Sequence, residues 1–330
     1  MVVVVTEVEK ESVISNHPLL SIIIPVYNGS KKIESTLEKI KSQIEKLRPA
    51  AKKLVQMAGQ EAETVYTGRK IISNASAAML LDKYLFTARQ GNLESDIALG
   101  NDSLPHTLLE SVWYEIIVVN DGSKDDTRKV LQRIASTDGT IRLISYSENM
   151  GKGYAIRQGV LHSIGKYILF LDGDGEISTE VLSKYLDRMS SADIVIGSKY
   201  HPLSVVSVPS SRKFFSKCFH LFVKITLGIK VSDTQVGLKA GSGDKFRKIF
   251  QRVTVRRYAF DAEMLAVAGI LGFKIVELPV RIDLDKSFKK KEILKMATDV
   301  LSVAFRLRVI KWYQKTMEKQ RPSCRVLSFA

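Results

Sequence analysis

Five short apolar runs, separated by stretches with helical spacing, predict an α/β fold around a mostly parallel central sheet. The runs are Ser21-Ile22-Ile23-Ile24-Pro25-Val26, Glu115-Ile116-Ile117-Val118-Val119, Ile141-Arg142-Leu143-Ile144-Ser145, Tyr167-Ile168-Leu169-Phe170-Leu171 and Asp193-Ile194-Val195-Ile196-Gly197. They are apolar along their length, as strands covered by helices on both faces must be. Three of them end in polar turn residues. In such sheets ligands bind beyond the carboxyl ends of the strands, where Asn28, Asp121 and Asp172 all fall.

The elements follow in order. Tyr27-Asn28-Gly29-Ser30 closes the first strand, and Ile33, Leu37, Ile40 and Ile44 mark the helix after it. Residues 49–112 exceed what a compact crossover needs; their composition suggests helices near 50–62 and 75–89. Asn74-Ala75-Ser76 fits a glycosylation sequon, a match of little weight. Asn120-Asp121-Gly122-Ser123 closes the second strand, and acidic Asp125 and Asp126 suit the start of a helix near 124 that runs through Val130, Leu131 and Ile134. A helix over 152–164 leads into the fourth strand, which stops at Asp172.

Composition narrows the function classes. Of 330 residues, 45% are hydrophobic and 26% charged, a globular composition. The net charge of +15 is unevenly placed: residues 1–198 carry 23 Lys/Arg against 25 Asp/Glu, residues 199–330 carry 27 against 10. An anionic partner bound by the second part is expected. Cys218 and Cys324 make no disulfide framework or zinc spacing, so a reducing interior is expected. Met1–Val5 lacks a basic flank and cleavage site, which argues against a secretory signal. The longest near-apolar stretch, 296–313, is interrupted by Asp299, Arg306, Arg308 and Lys311, so no membrane-spanning helix is expected.

Asp172-Gly173-Asp174-Gly175-Glu176 is the most informative stretch. Three carboxylates within five residues repel one another unless a cation lies among them, and oxygen ligands on a turn suit Mg2+ or Mn2+. An EF-hand alignment fails, because it puts Phe170 and Val181 where oxygen ligands are required. A phosphatase of the haloacid type also carries Asp-x-Asp at a strand end, yet it leaves the Asn28 and Asp121 loops without a role. A metal site for a nucleoside diphosphate and a solvated acidic turn remain.

Ile23-Ile24-Pro25-Val26-Tyr27-Asn28, Val118-Val119-Asn120-Asp121-Gly122-Ser123, Asn149-Met150-Gly151-Lys152-Gly153 and Asp172-Gly173-Asp174, in that order, resemble the inverting GT-A glycosyltransferases of family 2. The resemblance covers about residues 20–55 and 114–285. Asp233-Thr234-Gln235-Val236-Gly237-Leu238-Lys239 and Tyr258-Ala259-Phe260-Asp261-Ala262-Glu263 resemble its dolichyl-phosphate glucosyltransferase branch more than the mannosyltransferases. It implies a GT-A domain over 1–285 and a basic amphipathic helical segment over 286–330. It also implies a nucleotide-sugar donor held by Pro25, Tyr27, Asn28, Asp121, Lys152, Asp172 and Gln235, with Asp121 accepting the ring N–H of uracil. Asp172 and Asp174 would hold Mg2+ or Mn2+ on the diphosphate, with Glu176 a further ligand. Asp174, Lys199, Asp233 and Arg212 form the implied catalytic set, Asp233 orienting a cation or sugar hydroxyl. Gly29 stands where relatives often carry an acid, and Lys199 where they often carry Arg, which loses a bidentate fork.

The implied reaction is transfer of glucose from UDP-glucose to a polyprenyl phosphate of the dolichyl type, with GDP-mannose as the alternative donor. Lys199, Arg212, Lys213 and Lys239 are the candidate cations for the acceptor phosphate. Residues 212–228 alternate apolar and lysine positions, as a helix lying in an anionic membrane surface does, and 293–315 repeat the pattern with Trp312 and Tyr313 as interfacial anchors. Packing on the core or on a second copy of the chain, a homo-oligomer, is the other use of these faces. A peripheral location on the cytoplasmic face of a membrane is expected. A nucleic-acid partner is not: no binding motif is present, and acids at the strand ends would repel phosphate unless a metal is bound.

Overall fold

The computed structural model describes residues 18–48, 113–171, 181–207, 210–283 and 290–318. Nine strands are present among them: β1 (Leu20–Val26), β2 (Tyr114–Asp121), β3 (Ile141–Tyr146), β4 (Tyr167–Phe170), β5 (Ile194–Ser198), β6 (Val205–Ser207), β7 (Lys239–Ser242), β8 (Ile275–Pro279) and β9 (Arg281–Asp283). Seven form one sheet in the order β3-β2-β1-β4-β7-β5-β8, while β6 and β9 pair separately. Only β7 runs antiparallel, between β4 and β5. The carboxyl ends of the other six strands therefore share one edge of the sheet, and β7 contributes its first residue, Lys239, to that edge.

Alternation within the strands explains why each had to be apolar throughout. Ile22, Ile24, Ile116, Val118 and Leu169 face one core, which α1 (Ile33–Lys46), α2 (Thr127–Thr137) and α4 (Leu182–Met189) cover. Ile23, Ile117, Val119, Ile168 and Phe170 face the other, under α3 (Lys152–His162), α6 (Gly243–Phe250) and α7 (Phe260–Ile270). Each such side chain contributes about 1.5–3 kcal/mol by leaving water. α5 (Ser210–Leu227) and α8 (Lys290–Ala304) pack on this second side, through Val223, Leu227, Val300 and Val303.

The five expected strands are present within a residue or two. β7 and β8 were not expected. β7 reads Lys-Ala-Gly-Ser, too short and too polar to register as a buried strand. β8 reads Ile-Val-Glu-Leu-Pro, where Glu277 interrupts the apolar run. α2 starts at Thr127 rather than 124, because Asp125 is engaged by the first loop. The continuous helix expected over 293–315 is instead broken: α8 passes into a π-helical turn at Phe305–Val309, Lys311 takes a φ of 50°, and α9 (Trp312–Glu318) follows. That break turns Tyr313 inward. It is 0% exposed and sits in the second core, so it is no interfacial anchor. Among the described residues no helix is long and apolar enough to cross a membrane. The helices expected near 50–62 and 75–89 lie outside the described residues.

α3 lies directly on β1. A Cβ at Gly159 would stand 2.3 Å from Cγ2 of Ile23, closer than any side chain tolerates. Gly159→Ala is therefore expected to cost about 1–3 kcal/mol by overpacking, despite alanine's better helix propensity. An unfolding midpoint in urea equal to that of the wild type would show that this contact does not constrain the fold.

Candidate active site

The first two strand-end loops are joined by hydrogen bonds. Asn28 takes a left-handed φ of 51°, which aims its side chain across to the second loop. Its Oδ1 accepts from the Lys124 amide at 2.8 Å, and its own amide donates to Ser123 Oγ at 2.9 Å. The Gly29 amide donates to Thr127 Oγ1 at 2.8 Å, and Ser30 Oγ donates to Asp125 Oδ2 at 2.7 Å. Tyr27, half exposed, and half-buried Pro25 flank this junction. Burial pushes the Asp125 carboxyl up, but hydrogen bonds from Thr127 and Ser30 outweigh it and hold the group at about 2.

Asp121, at the end of β2, grips the third loop. Its Oδ1 accepts from the Met150 amide at 2.8 Å and its Oδ2 from the Gly151 amide at 3.0 Å, while its carbonyl accepts from Asn149 Nδ2 at 3.2 Å. The carboxylate is thus turned to the start of α3, a place that favours an anion. These bonds hold the Asn149–Gly151 loop to the end of β2. Tyr146 is half-buried beside it, and burial first, then Asp121, pushes its hydroxyl well above the ordinary range. Gly151 has a φ of 98°, a conformation closed to most side chains. Lys152 opens α3 directly after it, at the edge where Asn28 and Asp121 also lie.

Past β5, Lys199 and Asp233 come together. Lys199 Nζ lies 2.9 Å from Asp233 Oδ2, and the Lys199 backbone amide donates to the same oxygen at 2.8 Å. The Gln235 amide donates to Oδ1 at 3.0 Å. Asp233 is itself placed by β8: Glu277 Oε1 accepts from the amides of Ser232 and Asp233 at 2.8 and 3.2 Å. The Tyr200 ring lies 5.8 Å from that of His220 on α5. Burial holds His220 below its ordinary value, against the pull of the Asp233 charge.

Lys239 changes role. It was a candidate for the acceptor phosphate, but it is fully buried, 2.5 Å from Asp261 Oδ1, and it donates to the Val236 carbonyl. It sits beside Phe170, at the centre of the sheet's carboxyl edge. A buried pair of this kind is costly to break one partner at a time, about 3–5 kcal/mol, so it is part of the fold.

Asp172, Asp174 and Glu176 lie outside the described residues, as does the side chain of Arg212. Among the described residues no group of three His, Cys, Asp or Glu gathers as a metal site would require. β4 runs to Phe170 and Leu171 follows, buried, its amide donating to the Ile23 carbonyl at 3.3 Å. Sequence reasoning overlooked Glu277, Asp125 and Glu263 as polar organisers. For Glu277 the signal was present: a lone carboxylate inside an apolar strand needs buried donors to accept from.

The sheet order and the gathering of loops at one edge define a GT-A glycosyltransferase fold. It is shared with glucosyl-3-phosphoglycerate synthase from Mycobacterium tuberculosis, solved with Mn2+, UDP-glucose and phosphoglyceric acid, at a TM-score of 0.51 and 14% identity over 87% of this chain and 79% of that one. The chain belongs to glycosyl transferase family 2, whose family model matches residues 107–250. It is similar to dolichyl-phosphate beta-glucosyltransferase ALG5A of Trichomonas vaginalis, 38% identical over 62% of this chain and 65% of the relative. It is likewise similar to the dolichyl-phosphate beta-glucosyltransferase of Drosophila melanogaster, 33% identical over 63% and 68%. The chain spans just under two thirds of the length of the Trichomonas relatives it matches, 64% and 65% for two of them.

The low value at Asp125 has a direction in pH. Its folded-state pKa of about 2 lies below the ordinary 3.8. The stability it contributes is therefore present above pH of about 4 and is lost as pH falls through about 2. The stability difference between wild type and Asp125→Asn should shrink over that window in thermal melts; a difference independent of pH would mean that the ionised carboxylate does not join the loops.

Proposed function

We propose that this chain transfers glucose from UDP-glucose to a polyprenyl phosphate of the dolichyl type, inverting the anomeric carbon, while peripheral on the cytoplasmic face of a membrane. The observation that carries this reading is the level of identity to relatives named for that activity, which the shared fold alone does not require. An oxygen of the acceptor phosphate bonds to the anomeric carbon as the bond from that carbon to the UDP oxygen breaks, and the electron pair leaves with UDP. The acceptor oxygen is already anionic, so no residue need take a proton from it. Asp233 suits this scheme: with its carboxylate committed to Lys199 and to two backbone amides, it orients a cation instead of serving as a base.

Donor contacts in this reading come from Pro25, Tyr27, Asn28, Asp121, Lys152 and Gln235, with Asp121 also keeping the third loop in place. Arg212 and Lys213, with Lys199, are the cations for the acceptor phosphate. The donor set of Asp172, Asp174 and Glu176, all oxygen, fits Mg2+ or Mn2+. Bound there, the ion would offset the charge developing on the departing diphosphate.

The membrane partner rests on a patch across two packed helices. Leu221 and Ile225 on α5, and Leu294, Leu301, Phe305 and Val309 on α8 and its π-helical turn, are all exposed. Arg308 Nη2 donates to the Ile225 carbonyl at 3.0 Å, joining the two elements. Exposed Lys217, Lys224, Lys295, Arg308 and Lys311 stand among them. Apolar side chains among cations match an anionic lipid surface, to which each basic residue adds about 1 kcal/mol.

Two measurements test the reading. In a panel of UDP- and GDP-sugars with a short polyprenyl phosphate, UDP-glucose should be the preferred donor, and Asp174→Ala should lower transfer about a hundredfold or more; full activity in EDTA, or preference for GDP-mannose, would refute it. Ile225→Ser combined with Leu301→Ser should reduce co-flotation with phosphatidylserine vesicles about tenfold while UDP binding stays as in the wild type; undiminished flotation would remove the patch from the membrane.

A further inference from the structure

We propose that Glu263 is a positioning residue of the donor site, and that the C-terminal helical segment completes it through Tyr313 and Arg306. The inference rests on the reading of the Asn149–Gly153 loop as a donor loop.

Glu263 lies on α7 and is fully buried, where an ionised carboxylate must be met by donors. Its Oε2 accepts from the backbone amides of Thr254 and Val255 at 2.8 and 2.7 Å. Its Oε1 accepts from Thr254 Oγ1 at 2.8 Å, from the Tyr313 hydroxyl and from Arg306 Nη2 at 3.3 Å. Arg306 Nε in turn donates to the Tyr313 oxygen at 3.1 Å. One carboxylate thereby joins three segments distant in sequence: the 254–255 backbone, the π-helical turn after α8, and α9.

The segment Glu263 holds is the one that meets the donor loop. The Arg256 carbonyl accepts from the Tyr154 amide at 3.0 Å, one of the N–H groups in the first turn of α3 that the helix cannot satisfy itself. A Cβ at Gly151 would stand 2.6 Å from the Arg256 oxygen, and one at Gly153 2.7 Å from the Val255 oxygen. The backbone at 255–257 thus lies against the start of α3 with no room to spare. Asp121 grips Met150 and Gly151 from β2, and 254–257 presses from the opposite element. Releasing Glu263 frees that second side, and with it the position of Lys152.

The Tyr313 hydroxyl is held protonated, first by burial and then by the Glu263 charge, so it remains a donor. The same C-terminal segment carries Phe305 and Val309 outward. Its inner face is thereby tied to the donor loop.

The test uses the full chain with Tyr313→Phe, which keeps the buried ring and removes only the hydroxyl, and with Glu263→Gln. Hydrogen exchange followed by mass spectrometry should show amides in peptide 147–157 exchanging about tenfold faster in Tyr313→Phe, with peptides of β1 and β2 unchanged. UDP affinity by calorimetry should fall about tenfold in Tyr313→Phe and further in Glu263→Gln, with KM for the donor rising more than kcat falls. Unchanged exchange in 147–157 overturns the clamp, and faster exchange with unchanged UDP affinity overturns its role in donor positioning. Failure of the wild type to bind UDP would instead refute the donor reading, and with it the positioning role, while the exchange data still decide whether the clamp exists.

Discussion

Ile23 and Ile24 point to opposite sides of the sheet and neither meets water. Burial on both faces is the constraint from which the rest of the molecule follows. A sheet covered this way has no wall on which to place polar chemistry, so the charged and hydrogen-bonding side chains are driven to its edges and ends. Because every strand of the main sheet but β7 runs the same way, one edge collects the loops after β1, β2, β3 and β5. Their side chains and backbone amides then satisfy one another: Asn28 with Ser123 and Lys124, Asp121 with the amides of Met150 and Gly151, Lys199 with Asp233.

Two lysines near this edge are paired within the protein. Lys239 is matched by Asp261 and Lys199 by Asp233, each pair in surroundings where an unmatched charge would be expensive. Such pairing commits these charged side chains to one another. Asp121 illustrates the same economy. Its charge stabilises the start of α3 while its two oxygens determine where the third loop runs.

The C-terminal helices serve two environments at once. Tyr313 and Val300 are enclosed by the core, whereas Phe305, Val309 and Leu301 face outward beside Ile225 of α5. A regular helix through 305–311 would rotate these faces continuously. The π-helical turn and the left-handed Lys311 interrupt that rotation, so the tyrosine goes in while its neighbours stay out.

Local patterning in the chain was enough to place β1 to β5, the helices that begin after β1, β2 and β3 and the strand-end loops carrying Asn28 and Asp121, because an apolar run or a turn residue acts through its immediate neighbours; the helix between β4 and β5 was not anticipated. It was also enough to single out the three carboxylates of 172–176, whose repulsion is a property of their spacing. Tertiary structure alone decided what each polar residue faces. Lys239 looked like a cation for the acceptor phosphate and became a buried partner of Asp261, since the antiparallel β7 carries it between β4 and β5. Tyr313 looked like an interfacial aromatic and became a donor to Glu263. Partners for a charge come from segments far away in sequence, and only folding brings Glu263, Thr254, Arg306 and Tyr313 within hydrogen-bonding distance of one another.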